Sequence, residues 1–162
     1  VTTQHIGAAG ELLVQYKLLK LEIDSARLTT DSGVDLVVYS PADGSARTVQ
    51  VKTVRAPKPA GGTGKDAIDW TFPHDTKADL LAFAELSSDE VWIFTLAEAR
   101  EWAQQHTESG IRRLYWYTDE TKVQVDGVPL KAGDMYEFKL EKRASALFLA
   151  SSANEPKRPR AF

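Results

Sequence analysis

Cysteine is absent from the 162 residues, which excludes disulfides and thiolate metal sites and fits a reducing compartment. No apolar run is long enough to cross a bilayer, and no charged-then-apolar segment opens the chain. Neither a membrane span nor an export signal is therefore expected, and the cytoplasm is the expected location. A surplus of positive charge is also missing. The formal charge is −3 and the isoelectric point about 5.6, which argues against non-specific coating of nucleic acid. Histidine is scarce: His5 and His106 are far apart, and no H-x-x-x-H pair exists, so no zinc site is expected. The run Gly61, Gly62, Thr63, Gly64 and Lys65 lacks the full phosphate-loop pattern, because Asp66 follows the lysine.

What is present is an ordinary globular composition, 43% hydrophobic and 27% charged, in a chain long enough for one domain with a substantial core. That domain is expected over residues 1–150. Residues 151–162, with Lys157, Arg158 and Arg160, read as a basic, flexible tail. The charge is unevenly spread. No acid lies between Gly44 and Lys65, a stretch that carries Arg47, Lys52, Arg55 and Lys58.

The apolar spacing predicts a helix over residues 7–21, with Leu12, Tyr16 and Leu19 on its buried face and Leu13 widening it. Strands are expected over 23–29, 35–39 and 47–54, the last two joined by the turn Pro41, Ala42, Asp43, Gly44. Residues 56–64, with two prolines and three glycines, read as a loop. Further strands are expected over 68–72, 80–86, 91–96, 112–117, 122–125 and 135–140. Helices are expected near 74–79, over 97–106 and over 144–150. Trp92, Trp102, Trp116, Tyr115 and Tyr117 fit core and sheet packing better than base stacking. His74 reads as a satisfied histidine at a helix start.

The chemistry concentrates in one hairpin. Asp35 opens an otherwise apolar strand, and its partner strand carries Gln50 and Lys52 among valines. Side chains alternate along a strand, so Gln50 and Lys52 share a face, with Val49, Val51 and Thr53 on the other. Pairing brings Asp35 beside them. Glu11 lies on the preceding helix, which must pack on this sheet to bury its apolar face. A carboxylate with further oxygen donors suits a hard divalent cation such as Mg²⁺ or Mn²⁺. The Val51 carbonyl supplies another oxygen. A lysine alongside orients a water or neutralises charge developing on a phosphate.

The order of these pieces resembles the PD-(D/E)XK nuclease superfamily. They are the helix G-A-A-G-E-L-L-V-Q-Y-K-L-L-K-L-E, then D-L-V-V-Y, then V-Q-V-K-T. The likeness spans roughly residues 7–96 and is strongest to the Holliday junction resolvase-like and group I intron homing endonuclease-like branches. The segment K-A-D-L-L-A-F-A-E-L-S-S-D-E-V-W-I-F-T-L is similar to the latter branch. The resemblance implies a restriction-endonuclease-like α/β core, a central mixed sheet flanked by helices, with extra strands toward the C-terminus. It implies a Mg²⁺- or Mn²⁺-dependent endodeoxyribonuclease acting on DNA. Asp35 matches the metal-binding acid, Lys52 the lysine, and Glu11 the helix acid that some branches use. Gln50 departs from the pattern, standing where most members have Glu or Asp. It keeps a carbonyl ligand and loses a negative charge.

Around this set, Arg55, Lys58 and Lys65 are expected to grip phosphates. Ser32 resembles an active-site serine of junction resolvases, and as a turn residue it also bonds its own backbone. Arg27 meets a phosphate or caps a sheet edge. A homodimer would suit an enzyme that cuts both strands. The alternative is a nuclease-fold protein that binds nucleic acid or a partner with weak or no cutting, which Gln50 and the acidic net charge favour.

Overall fold

The computed structural model describes residues 1–30, 32–119 and 130–150. The expected strand over 122–125, the turn at Gly127, Val128 and Pro129, and the basic tail lie outside the described residues. Helix α1 (Thr3–Leu19) is followed by strands β1 (Ser25–Arg27), β2 (Leu36–Tyr39), β3 (Ala46–Val54), β4 (Lys58–Pro59), β5 (Asp66–Pro73), β6 (Leu80–Glu85) and β7 (Glu90–Thr95). Then come helix α2 (Leu96–Trp102), strands β8 (Gln105–His106), β9 (Ile111–Tyr117) and β10 (Leu130–Lys131), a 3-10 helix (Ala132–Phe138) and helix α3 (Leu140–Ala144), which widens into a π turn (Ser145–Leu149).

The strands form two sheets. The first has the order β1-β2-β3-β6-β7 and is mixed, with β3 and β6 parallel and the other neighbours antiparallel. The second has the order β10-β9-β5-β4, with β8 added beside β9. One face of the first sheet packs on α1 and α3 through Val14, Leu18, Leu36, Val38, Val49 and Leu140. Its other face carries Leu81, Phe83, Trp92 and Phe94, which meet Ile68, Trp70, Phe72, Leu114 and Trp116 of the second sheet. Trp70 stacks on Phe83 with ring centroids 5.1 Å apart. Each such aromatic pair adds about 0.5–1.5 kcal/mol beyond its buried area.

Helix α1 departs from expectation. It starts at Thr3, earlier than residue 7, with the Thr2 hydroxyl as its cap, and Glu11 lies in mid-helix. Its buried positions are Gly10, Val14 and Leu18, while Tyr16 is 59% exposed and Leu12 and Leu19 are exposed with it. The buried stripe follows the closest approach of the helix to β3, which only a glycine permits. A Cβ on Gly10 would lie 1.9 Å from Thr53 Oγ1 and 2.8 Å from Thr53 Cβ. Rotating the threonine relieves the first contact and not the second. Alanine gains about 1 kcal/mol of helix propensity, and overpacking costs about 1–3 kcal/mol. Gly10→Ala is therefore expected to lower the urea midpoint with an unchanged m value. A midpoint at or above that of the wild type would contradict this packing.

Five further expectations are corrected. Residues 74–79 form no helix: the Thr76 backbone N–H and hydroxyl both bond the Pro73 carbonyl, closing a turn. Asp79 is held by Thr48, whose backbone N–H donates at 2.8 Å and hydroxyl at 2.9 Å, and this clamps the start of β6 to β3. The helix expected over 97–106 stops at Trp102, and Gln105 and His106 pair with β9. The expected strand 135–140 is the 3-10 helix Ala132–Phe138. Its buried Met135 and its Phe138, stacked 4.4 Å from Phe94, cap the inter-sheet core. The last helix begins at Leu140, earlier than expected, and buries Phe148 on its final turn. The loop over 56–64 contains β4. Buried Glu85 accepts from the backbone N–H of Ser87 at 2.6 Å and of Ser88 at 3.1 Å, which pins the β6–β7 turn.

His74 sits in the turn after β5, not at a helix start. Its Nδ1 accepts from Arg112 Nε at 3.1 Å, so the neutral ring carries its proton on Nε2. Desolvation holds His74 below its ordinary value of 6.5, and Arg100, Arg112 and His106 push the same way against Asp75. The unfolded chain then takes up this proton at higher pH than the folded one. Stability is expected to fall as pH drops through 6.5 toward the depressed folded value. His74→Gln should flatten that part of the urea-midpoint profile between pH 7.5 and 5.5. An identical slope in both proteins would remove His74 as its source.

Candidate functional site

Strand β3 outlasts its neighbour β2. The two pair from Leu36↔Val49 to Tyr39↔Ala46, while β3 runs on to Val54 beside β6. Along β3, backbone groups alternate between the two edges. The Val54 carbonyl accepts from Leu86 on the β6 side, and the Val49 carbonyl accepts from Asp35 N–H on the β2 side, at 2.9 Å. Val51 has the parity of Val49, so its amide and carbonyl both face the gap where β2 has ended.

Asp35 fills that gap. Its Oδ2 accepts from Val51 N–H at 2.6 Å, and its own carbonyl accepts from Leu28 N–H at 2.8 Å. The turn before it needs a residue in the left-handed region, supplied by Gly33 at φ +77°. A side chain there would approach Gln50 Nε2 to 4.0 Å. The β2–β3 pairing ends at Leu36↔Val49, and Asp35, just before it, bonds Val49 through its backbone and Val51 through its side chain, on either side of Gln50. Lys52, two residues on, lies on the same face in register with Phe83 and is half-buried. The structure thus brings Asp35, Gln50, Val51 and Lys52 together, with Val49, Val51 and Thr53 directed to the helix side.

Gln50 is 8% exposed, and its Oε1 is buried with no hydrogen-bond partner. An unmet buried acceptor carries a cost of about 1–3 kcal/mol, and it is an oxygen donor beside a carboxylate. The set therefore fits a hard cation, with Asp35, the Gln50 amide oxygen and the Val51 carbonyl as ligands. It is a mixed set: no group of three or more His, Cys, Asp or Glu suited to a metal exists among the described residues.

The other expected residues divide. Glu11 on α1 is bound to Arg27 on β1: its Oε2 accepts from Arg27 Nε at 2.8 Å and lies 2.7 Å from Nη2. These two expected residues satisfy each other, at the sheet end where Arg27 pairs with Leu36. Ser32 is exposed in the turn leading to Asp35, with its backbone N–H on the Thr30 carbonyl at 2.9 Å. Lys65 pairs with Asp119 at 3.0 Å. Arg55 and Lys58 line a cleft of about 520 Å³.

That cleft brings in residues absent from the expected set. Its far wall is the outer face of the second sheet, where Asp69, Arg113, Tyr115 and Tyr117 lie on the side opposite the core. The signal is the alternation of Arg113-Leu114-Tyr115-Trp116-Tyr117. Leu114 and Trp116 are buried, and the residues between them are half-exposed. Trp92 and Trp116 belong to the core as expected, whereas Tyr115 and Tyr117 do not.

No family model matches the chain, and no curated protein matches it. Among solved structures, that of the bacterial homing endonuclease I-Ssp6803I superposes with a TM-score of 0.57, at 14% sequence identity, over 93% of this chain and 100% of that one. The chain therefore has a mixed α/β, nuclease-like fold shared along nearly its whole length with a bacterial homing endonuclease.

Proposed function

We propose that the protein is a divalent-metal-dependent endodeoxyribonuclease of the PD-(D/E)XK type. The observation that carries this reading is the gap beyond β2, where the Asp35 carboxylate sits on Val51 N–H, next to Gln50 with its unpartnered buried Oε1 and two strand positions from Lys52 on β3. Asp35, Gln50 and Val51 would hold Mg²⁺ or Mn²⁺, with Glu11 contributing from the helix side and Arg27 its partner in the free protein. When bound, such a cation supplies Lewis acidity to a phosphate oxygen and lowers the pKa of a bound water.

The chain's own residues do the rest. Val51 N–H fixes the Asp35 carboxylate at the edge of β3. The β3–β6 ladder fixes Lys52 on the face of Gln50, where its ammonium orients the attacking water and offsets the negative charge that grows on the phosphate. Arg55 and Lys58 follow on the same stretch of chain and contact the DNA backbone. The likeness to a homing endonuclease supports DNA as substrate.

The test is incubation of supercoiled plasmid and of a four-way junction with Mg²⁺ or Mn²⁺, against EDTA. Metal-dependent cutting is the expected result, and the preferred substrate identifies the branch. No cutting of either DNA with either metal, by protein that takes up no cation, would sink the reading. It would favour a nuclease-fold protein that binds without cutting. Gln50 in place of an acid, and Glu11 engaged by Arg27, are the observations on that side.

A further inference from the structure

We infer that the cleft between the N-terminal turn of α1 and the outer face of the second sheet is a binding site for unpaired nucleotides of a DNA strand, with Tyr115 and Tyr117 as the base platform. The inference rests on the nuclease reading only for the choice of DNA.

The platform follows from the alternation along β9. Tyr115 and Tyr117 are two residues apart on one strand, so both side chains rise from the same face of the sheet. Their rings meet edge to face, at 89° with centroids 6.5 Å apart, so they form a corner against which a base can lie rather than one flat surface. The strand beneath them is stiff. Gln104 acts as a substitute neighbour, its Oε1 accepting from Tyr115 N–H at 3.1 Å and its Nε2 donating to the Tyr115 carbonyl at 2.5 Å. Flat aromatic faces on a sheet bind bases of any sequence, because every base offers a π face.

The charges complete the site. Among the described residues, Arg55, Lys58 and Arg113 line the cleft against one carboxylate, Asp69, in a chain whose net charge is −3. Lys58 pairs with Ala67, and Ala67 with Tyr117, so the lysine stands on the same face two strands from the ring. Arg113 is already positioned: its guanidinium lies 5.3 Å from the centre of the Tyr115 ring and is bonded to Asp69. Asp69 holds this arginine and also competes with an incoming phosphate for it.

Size selects the ligand. About 520 Å³ falls within the roughly 300–1,000 Å³ of sites that enclose a single small molecule. That is the scale of one or two nucleotides. Position ties the cleft to the proposed reaction: Arg55 follows Lys52 by three residues, roughly 10 Å of extended chain.

The experiment is anisotropy of a labelled twelve-nucleotide deoxythymidine strand and of a blunt duplex of equal length, in EDTA, so that neither metal nor cutting enters. The wild type should bind the single strand more tightly than the duplex. Tyr115→Ala and Tyr117→Ala should each weaken single-strand binding by about 5- to 150-fold, and Tyr115→Phe should retain it. Lys58→Ala should lower the salt slope by about 0.7. Asp69→Asn should tighten binding, and Lys142→Ala, an equal charge loss on the exposed face of α3, should leave it unchanged. Circular dichroism checks that each variant is folded. Tighter duplex binding, single-strand binding unaltered in both folded tyrosine-to-alanine variants, or no binding by the wild type would each overturn the inference. Plasmid cutting is scored separately, so its failure counts against the nuclease reading alone.

Discussion

Lys52→Ala is expected to slow DNA cutting by about 10²–10³ while leaving cation binding intact. The ammonium is held on β3 in register with Phe83, on the face that carries Gln50. Alanine keeps the strand, and the side chain lost is half-buried rather than core, so the fold should persist. What disappears is a positive charge fixed where negative charge develops on the phosphate. Removing one such preorganised stabiliser costs on the order of 10²–10³ in rate. A cation titration of the same variant should show affinity equal to or above that of the wild type, since a repelling charge has gone. Lys52→Arg retains charge without the compact ammonium geometry and should recover only part of the rate. Cutting by Lys52→Ala at the wild-type rate would remove this lysine from the reaction.

The second large effect is expected at Asp35, where two roles separate by choice of substitution. Asp35→Asn keeps an oxygen that accepts from Val51 N–H, so the edge of β3 stays closed. Asp35→Ala leaves that N–H without its partner, at a cost of about 1–3 kcal/mol. Both remove the carboxylate on which cation binding depends. A cation that binds only the folded protein at about 100 times its dissociation constant adds about 2.7 kcal/mol. For a chain of this size that is a rise in melting temperature of roughly 5–11 °C. The wild type should show this rise with Mg²⁺ or Mn²⁺, and Asp35→Asn should show none while melting close to the wild type in EDTA. An equal rise in Asp35→Asn would place the cation elsewhere. A large loss of stability in EDTA would mean that charge, rather than the acceptor, holds the strand edge.

The hairpin chemistry was legible because it is local. Alternation along one strand puts Gln50 and Lys52 on one face whatever the rest of the chain does, and a short connection with Asp43 and Gly44 makes the neighbouring strand antiparallel. Asp35, one residue before the paired segment, then falls beside Val49 and Val51, next to Gln50. The strands β6, β7 and β9 were visible in the same way, as apolar or alternating runs with a period of two. Helix α1 was visible as a helix but not in its rotation. The large apolar side chains Leu12, Tyr16 and Leu19 suggested one face, whereas the closest approach to β3 requires Gly10 against Thr53. Periodicity finds an amphipathic stripe; which stripe is buried depends on the shape of the surface it meets.

The strand expected over 135–140 is instead the end of a 3-10 helix, because Met135, Phe138 and their neighbours carry an apolar pattern compatible with either. Docking of Phe138 on Phe94 decides between them. The ion pair of Glu11 with Arg27, the capture of Lys65 by Asp119 and the assembly of Arg55 and Lys58 with Arg113, Tyr115 and Tyr117 join residues 16 to more than 50 positions apart. No local rule reaches such pairs, because they form only when separate helices, strands and sheets pack together. The sequence by itself therefore determined the strand that carries the candidate chemistry and the side of it on which that chemistry lies. Only the tertiary structure decided which charges remain available there, because availability depends on which distant side chains folding brings within bonding distance.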